Sequence, residues 1–174
     1  LAQHYSTVWC PEFAREYLLT YGTDYTYDDL LTIAKGQLAM QEEYEIMAYK
    51  AWEEERDSIT SAPVLFIDTD MYVMKVWHEV AFHNCPTWIL KAIARKKYDL
   101  YLLCNIDLPW EYQEMREYPD LDSRARLFNM YKDILVNQHV PWTIISGNDQ
   151  QRKYSAITFI ESSLKINTNY SSTF

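Results

Sequence analysis

Three stretches of this chain, VLFI (64–67), LYLLC (100–104) and WTII (142–145), are apolar nearly throughout. They lack the alternation of a strand that shows one face to water. Strands of that kind belong to parallel sheets covered by helices on both faces. The segments around them fit: STVWC (6–10) is a fourth β-leaning run, closed by Pro11. Helical patterns occupy 12–22, 27–56, 71–82, 87–97, about 124–138 and 147–165. Gly22 suits the end of the first. In the second, Tyr27, Leu30, Leu31, Ala34, Leu38, Gln41, Ala48 and Trp52 share a face, with Asp28 and Asp29 at its positive N-terminus. Strands alternating with such helices predict a three-layer α/β fold. No repeat or linker divides the chain, and 174 residues suit one domain.

Each apolar run gives way to polar residues. An ionised carboxylate buried without partners is strongly unfavourable, yet VLFI runs straight into Asp68-Thr69-Asp70. Glu12 comes after the first run, Asn105 and Asp107 after the third, and Ser146-Gly147-Asn148 after the last. In open parallel sheets ligands sit at the carboxyl ends of the strands, so these clusters predict one functional cleft. An acid at such an end holds Mg²⁺, largely through water, in phosphoryl-transfer enzymes, and a neighbouring acid accepts the proton of the attacking hydroxyl. Asp68 takes the first role here, Glu12 the second, and Asp70 can bind substrate hydroxyls. Each has a plainer reading: Asp70 as the N-cap of the 71–82 helix, Glu12 as a first-turn helix acid. Phosphoryl transfer also needs cations over the phosphates, often from a mobile lid. The polar, proline-punctuated segment at about 109–126 carries Arg116, Arg124 and Arg126 and suits that part.

Composition excludes other classes. A net charge of −9 argues against nucleic acid or an anionic membrane as partner. Cys10, Cys85 and Cys104 are widely spaced with no CxxC pair, which argues against a disulfide framework or zinc knuckle and fits a reducing cytoplasm. No apolar run approaches the roughly 20 residues that span a bilayer, and nothing resembles a signal peptide. His4, His78, His83 and His139 show no metal-ligand spacing. Tyr25 and Tyr27 fit either stacking on a flat base or core packing, and Trp77 is a candidate for the cleft wall.

One element of phosphate chemistry is missing. The chain has only three glycines, Gly22, Gly36 and Gly147, and no GxxxxGK[ST] cradle.

CPEFAREYL, LLTIAKGQ, VLFIDTD, DLYLLCNIDLPWEYQEMRE and WTIISG succeed one another over nearly all of residues 4–165. In that order and spacing they resemble the ribosylnicotinamide kinase domain of bacterial NadR-type proteins, a branch of the AAA-like P-loop NTPases. The resemblance implies a P-loop fold whose first, central strand and phosphate loop lie before Leu1, in a chain expected to continue upstream. A lost cradle is the alternative. It implies a kinase-like domain over 1–165 with a flexible tail at 166–174, acting with ATP and Mg²⁺ on the ribose 5′-hydroxyl of nicotinamide riboside to give the mononucleotide of NAD salvage. Glu12 and Arg15 of PEFARE would line the nucleoside site, with Gln37 of AKGQ reaching the same pocket. Asp68 and Asp70 would serve Mg²⁺ and ribose. Trp110 and Arg116 would belong to the lid, with Arg124, Arg126 and Asn148 on the nucleotide side. The family often shows a DG pair before the lid arginine, where this chain has QEMR. An upstream nucleotidyltransferase domain and an oligomer are compatible with it. The residues alone leave open a kinase for another nucleoside or deoxynucleoside, and a catalytically inactive nucleotide-sensing module.

Overall fold

The apolar runs pair in parallel. In the computed structural model, which describes residues 1–54, 62–112 and 117–164, β1 (Trp9–Cys10) lies beside β2 (Phe66–Ile67), with Trp9 opposite Phe66. β3 (Tyr101–Cys104) lies beside β4 (Trp142–Ile145), with Tyr101 opposite Trp142. Between them run α1 (Phe13–Tyr21), α2 (Tyr27–Glu54), α3 (Met71–Phe82), α4 (Thr87–Arg95) and α5 (Leu121–Val136), with α6 (Asp149–Leu164) last. The fold is therefore the expected α/β type with parallel strands. Its regular strands are shorter than the apolar runs, and both residues of β2 are only half-buried. The reason is pairing: among the described residues each strand has one neighbour, and no ladder joins β2 to β3.

Helix ends obey local chemistry. Gly22 closes α1 at φ 92°, and its N–H donates to Leu18 O. Asp70 caps α3, its Oδ1 accepting from the N–H groups of Tyr72 and Val73. α5 starts at Leu121, three residues before the sequence places it, because Asp120 Oδ1 accepts from Ser123 N and sets the first turn. α2 is described to Glu54, and the expected continuation to Arg56 lies outside the described residues, as do the end of the last helix at 165 and the tail at 166–174.

Two apolar clusters hold these parts. Ala14 and Leu18 of α1 pack with Leu30, Ile33 and Ala34 of α2, Met71 and Met74 of α3, and Ile89 and Ala92 of α4. Burying a side chain of Leu or Ile size stabilises by about 1.5–3 kcal/mol. α1 reaches α2 closely because residue 36 is glycine: a Cβ there would stand 2.5 and 2.7 Å from Phe13 Cζ and Cδ1. The second cluster joins Tyr5 and Ile160 to Phe66 of β2 and Leu102 of β3. Tyr25 and Tyr27 fall in with packing, the first edge-on to Trp77 and Phe82, the second edge-on to His78 and Phe82. Trp77 Nε1 donates to the Tyr25 hydroxyl, which in turn donates to Glu117. No helix among the described residues is long and apolar enough to cross a membrane.

Candidate functional site at the strand ends

The last bond of the first ladder runs from Asp68 N to Cys10 O at 2.9 Å. Beyond it both strands end, and their next residues carry the acids. Glu12 occupies the N-cap position of α1, yet its carboxylate makes no capping bond. It turns instead toward β2, where the Thr69 side chain hydrogen-bonds to it and Asp68 lies within electrostatic reach. Burial, and then the Asp68 charge, push the Glu12 carboxyl above its ordinary range, while Arg15 and the Thr69 bond pull it back. Asp68 itself is exposed. Among the described residues neither acid forms an ion pair.

Thr69, between the two β2 acids, has φ 74°. A β-branched residue is rare in that left-handed region, and such strain gathers at functional sites. Its side chain has a use there, in the bond to Glu12.

Asp70 is differently engaged. Oδ1 caps α3, and Oδ2 accepts from the Tyr101 hydroxyl of β3 at 3.1 Å. Burial raises its carboxyl above the ordinary range, and the bonds from Val73, Tyr101 and Tyr72 act against it. Both oxygens are thus taken by the fold, which ties the end of β2 to β3. Gln37 is fully buried. Its Oε1 accepts from Phe13 N at 2.7 Å, and its Nε2 donates to Pro11 O at 3.1 Å and Asp68 O at 3.3 Å. The amide that the resemblance sends to a substrate pocket is used by the backbone behind the acids.

Arg15 is exposed on the first turn of α1, close enough to lower the Glu12 carboxyl. Arg124 and Arg126 sit on α5, Arg124 half-buried and Arg126 exposed. Trp110 stacks edge-on with Tyr112 at 6.1 Å. Arg116 lies outside the described residues, so the lid at about 109–126 is described only in part. Tyr131, which the sequence does not single out, stands on α5 two turns after Arg124. Its hydroxyl is pushed up to about 12 by burial and then by the charges of Asp70 and Glu12, so it lies within electrostatic reach of both acids. Its helical phase with Arg124 was the available signal.

The second pair of strands ends in another cluster. Arg152 of α6, a residue sequence reading passes over, is paired with Asp107 and donates from Nε to Gly147 O at 2.8 Å and from Nη2 to Asn105 O at 3.1 Å. Asp107 Oδ2 also accepts from Gly147 N at 2.6 Å. That backbone bond, with the nearby Arg152, holds the Asp107 carboxyl below its usual range. Asn105 Nδ2 donates to Ser146 Oγ at 3.0 Å. Asn148 exchanges reciprocal bonds with Gln151, Oδ1 accepting from Gln151 N and its own N–H donating to Gln151 Oε1, and so caps α6.

Among the described residues no three His, Cys, Asp or Glu side chains form a group that could hold a metal ion alone. Asp68, exposed and in no ion pair among the described residues, is the acid that suits Mg²⁺, which commonly takes one or two carboxylates and completes its shell with water and phosphate.

Comparison with known proteins agrees with this architecture. Residues 1–152 match the family described as AAA domain. Among solved structures, a NadR protein in complex with NAD and AMP-PNP superposes with a TM-score of 0.64 at 18% identity, over 98% of this chain and 46% of that one. A NadR protein in complex with NR superposes with a TM-score of 0.64 at 20% identity, over 98% and 48%. At these identities the likeness is one of fold, and the chain spans about half the length of those two. No curated protein matches it.

Proposed function

The chain belongs to the AAA domain family, and we propose that it is a nucleotide-dependent kinase domain that phosphorylates the ribose 5′-hydroxyl of nicotinamide riboside. The observation that supports this is the placement of Glu12 and Asp68 at the shared end of β1 and β2, neither in an ion pair among the described residues, with the Glu12 carboxyl raised by burial and then by the Asp68 charge. A carboxyl raised in this way is a general base tuned toward neutral pH. In this reading Glu12 takes the proton of the attacking hydroxyl. Asp68 holds Mg²⁺, which when bound would neutralise charge on the transferring phosphoryl group. Thr69 fixes the Glu12 carboxyl in place. Arg15 and Tyr131 border the acceptor pocket, and Trp110, Arg116, Arg124 and Arg126 belong to a lid over it. The structural neighbours in complex with NR and with AMP-PNP support the choice of nucleoside and phosphoryl donor.

The cradle GxxxxGK[ST] that this reaction requires is not within these 174 residues, so the assay belongs on the protein as the cell makes it. ADP release is measured over a panel of ribonucleosides and deoxynucleosides with Mg²⁺ and ATP. Highest kcat/KM with nicotinamide riboside is the expected result. Preference for another nucleoside moves the substrate assignment, and no turnover with any of them overturns the kinase reading.

A further inference from the structure

Past the last ladder bond, nothing in the strand pairing sets how far apart Glu12 and Asp68 stand. The residues there are cross-tied instead by the Thr69–Glu12 bond and by Gln37. A carboxamide offers one acceptor oxygen and two N–H donors. Gln37 places the oxygen on the N–H just after Glu12 and the nitrogen on the carbonyl just before it. The same nitrogen reaches the carbonyl of Asp68 itself and lies 3.5 Å from Cys10 Sγ. One side chain thus grips the residues on both sides of the first acid and the backbone of the second. Its foundation is rigid: Gln37 is on the long α2, fully buried, next to the glycine that lets Phe13 lie against that helix.

We propose that Gln37 is a positioning residue, a strut whose carboxamide sets the separation of Glu12 and Asp68 without touching substrate or cation. This rests on the kinase reading of the site. Its consequence is specific, because displacing a catalytic group by about 1 Å can slow a reaction roughly a hundredfold while binding is kept.

The test compares Gln37→Met, which keeps the volume and removes every bond, with Gln37→Glu, which keeps the acceptor for Phe13 N–H. With the intact protein, kcat should fall about 100-fold in Gln37→Met with nucleoside KM changed less than about threefold, and Gln37→Glu should recover about tenfold of the loss and remain about tenfold below wild type. A KM raised about tenfold or more with kcat retained would make Gln37 a substrate contact and overturn the strut. Unchanged kinetics would overturn it too. Should wild type phosphorylate no nucleoside, the kinase reading fails by itself, and the strut is judged by hydrogen exchange. The Phe13 amide should then exchange at least about tenfold faster in Gln37→Met while Met74 in α3 keeps its protection, and equal Phe13 exchange sinks the idea. If Gln37→Met does not fold, Gln37→Glu carries the comparison: lower kcat at constant KM supports the strut, and unchanged kcat rejects it.

Discussion

β1–β2 and β3–β4 are two parallel pairs that end in the same way, each with an acid just beyond an apolar strand, yet their electrostatics are opposite. At the β3–β4 end the cross-tie is Arg152, a cation, and Asp107 sits below the usual carboxylate range. At the β1–β2 end the cross-tie is Gln37, which is neutral, and Glu12 sits above that range. The first arrangement supplies its own counter-charge and is settled. The second brings two carboxylates near each other with no ion pair to either among the described residues. A neutral cross-tie can hold acids close without quenching them, whereas an arginine would neutralise one of them. The Arg152 cluster fastens the fold, and the contrast is what the kinase reading proposed above draws on.

The comparison is broken most sharply by Asp68→Asn. Turnover should fall by about 10³-fold or more with the melting temperature nearly unchanged, as expected for an exposed side chain with no ion pair. Equal turnover would remove Asp68 from the mechanism. Glu12→Gln should lower kcat by about 10²–10⁴-fold. It should also change the pH dependence of stability, and the raised carboxyl gives the sign. The folded state holds the Glu12 proton more tightly than the unfolded chain does. The stability this brings is present below the unfolded value and is lost as pH rises through the folded one. The variant should therefore lose that decline in a pH series of thermal melts.

Arg152→Met tests the other end. Leaving Asp107 and the two carbonyls without their donor should destabilise by about 2 kcal/mol, roughly 4–8 °C in melting temperature. The acid limb should shrink as well, because the lowered Asp107 carboxyl gives stability that is present above the ordinary carboxylate value and lost as pH falls through the folded one. A loss of activity without a loss of stability would contradict the contrast between the two ends. The smallest effect expected is for Asn148→Ala, about 1 kcal/mol from the lost cap of α6, read in a urea titration.

How much of this can be read from residues alone depends on range. The strands, their parallel pairing and the acids at their ends come from local pattern, because continuous apolarity and the rule of carboxyl-end sites act within each segment. Asp70 shows how two local readings compete. It succeeds a strand and precedes a helix, and the helix takes one oxygen while Tyr101, 31 residues on, takes the other. Gln37 lies at the edge of the apolar stripe of α2, where the pattern reads as a boundary residue, and the folded chain buries it fully. Its partners are 24 to 31 residues away, and no spacing identifies them. Arg152 sits in a QQRK run that looks like a solvated helix face, and only the folded chain brings Asp107 to it. The start of α5 shifts for a local reason instead, since the cap at Asp120, only three residues from Ser123, outweighs the apolar periodicity that starts the helix later.

Thr69 carries a last consequence. Its left-handed backbone, at φ 74°, disfavours a branched side chain by about 1–3 kcal/mol, a strain that glycine would relieve. A laboratory selection for heat resistance alone would therefore favour glycine at this position. The winners would tolerate warmth better with the Glu12 carboxyl unmoored, and on the proposed kinase reading they would turn over more slowly.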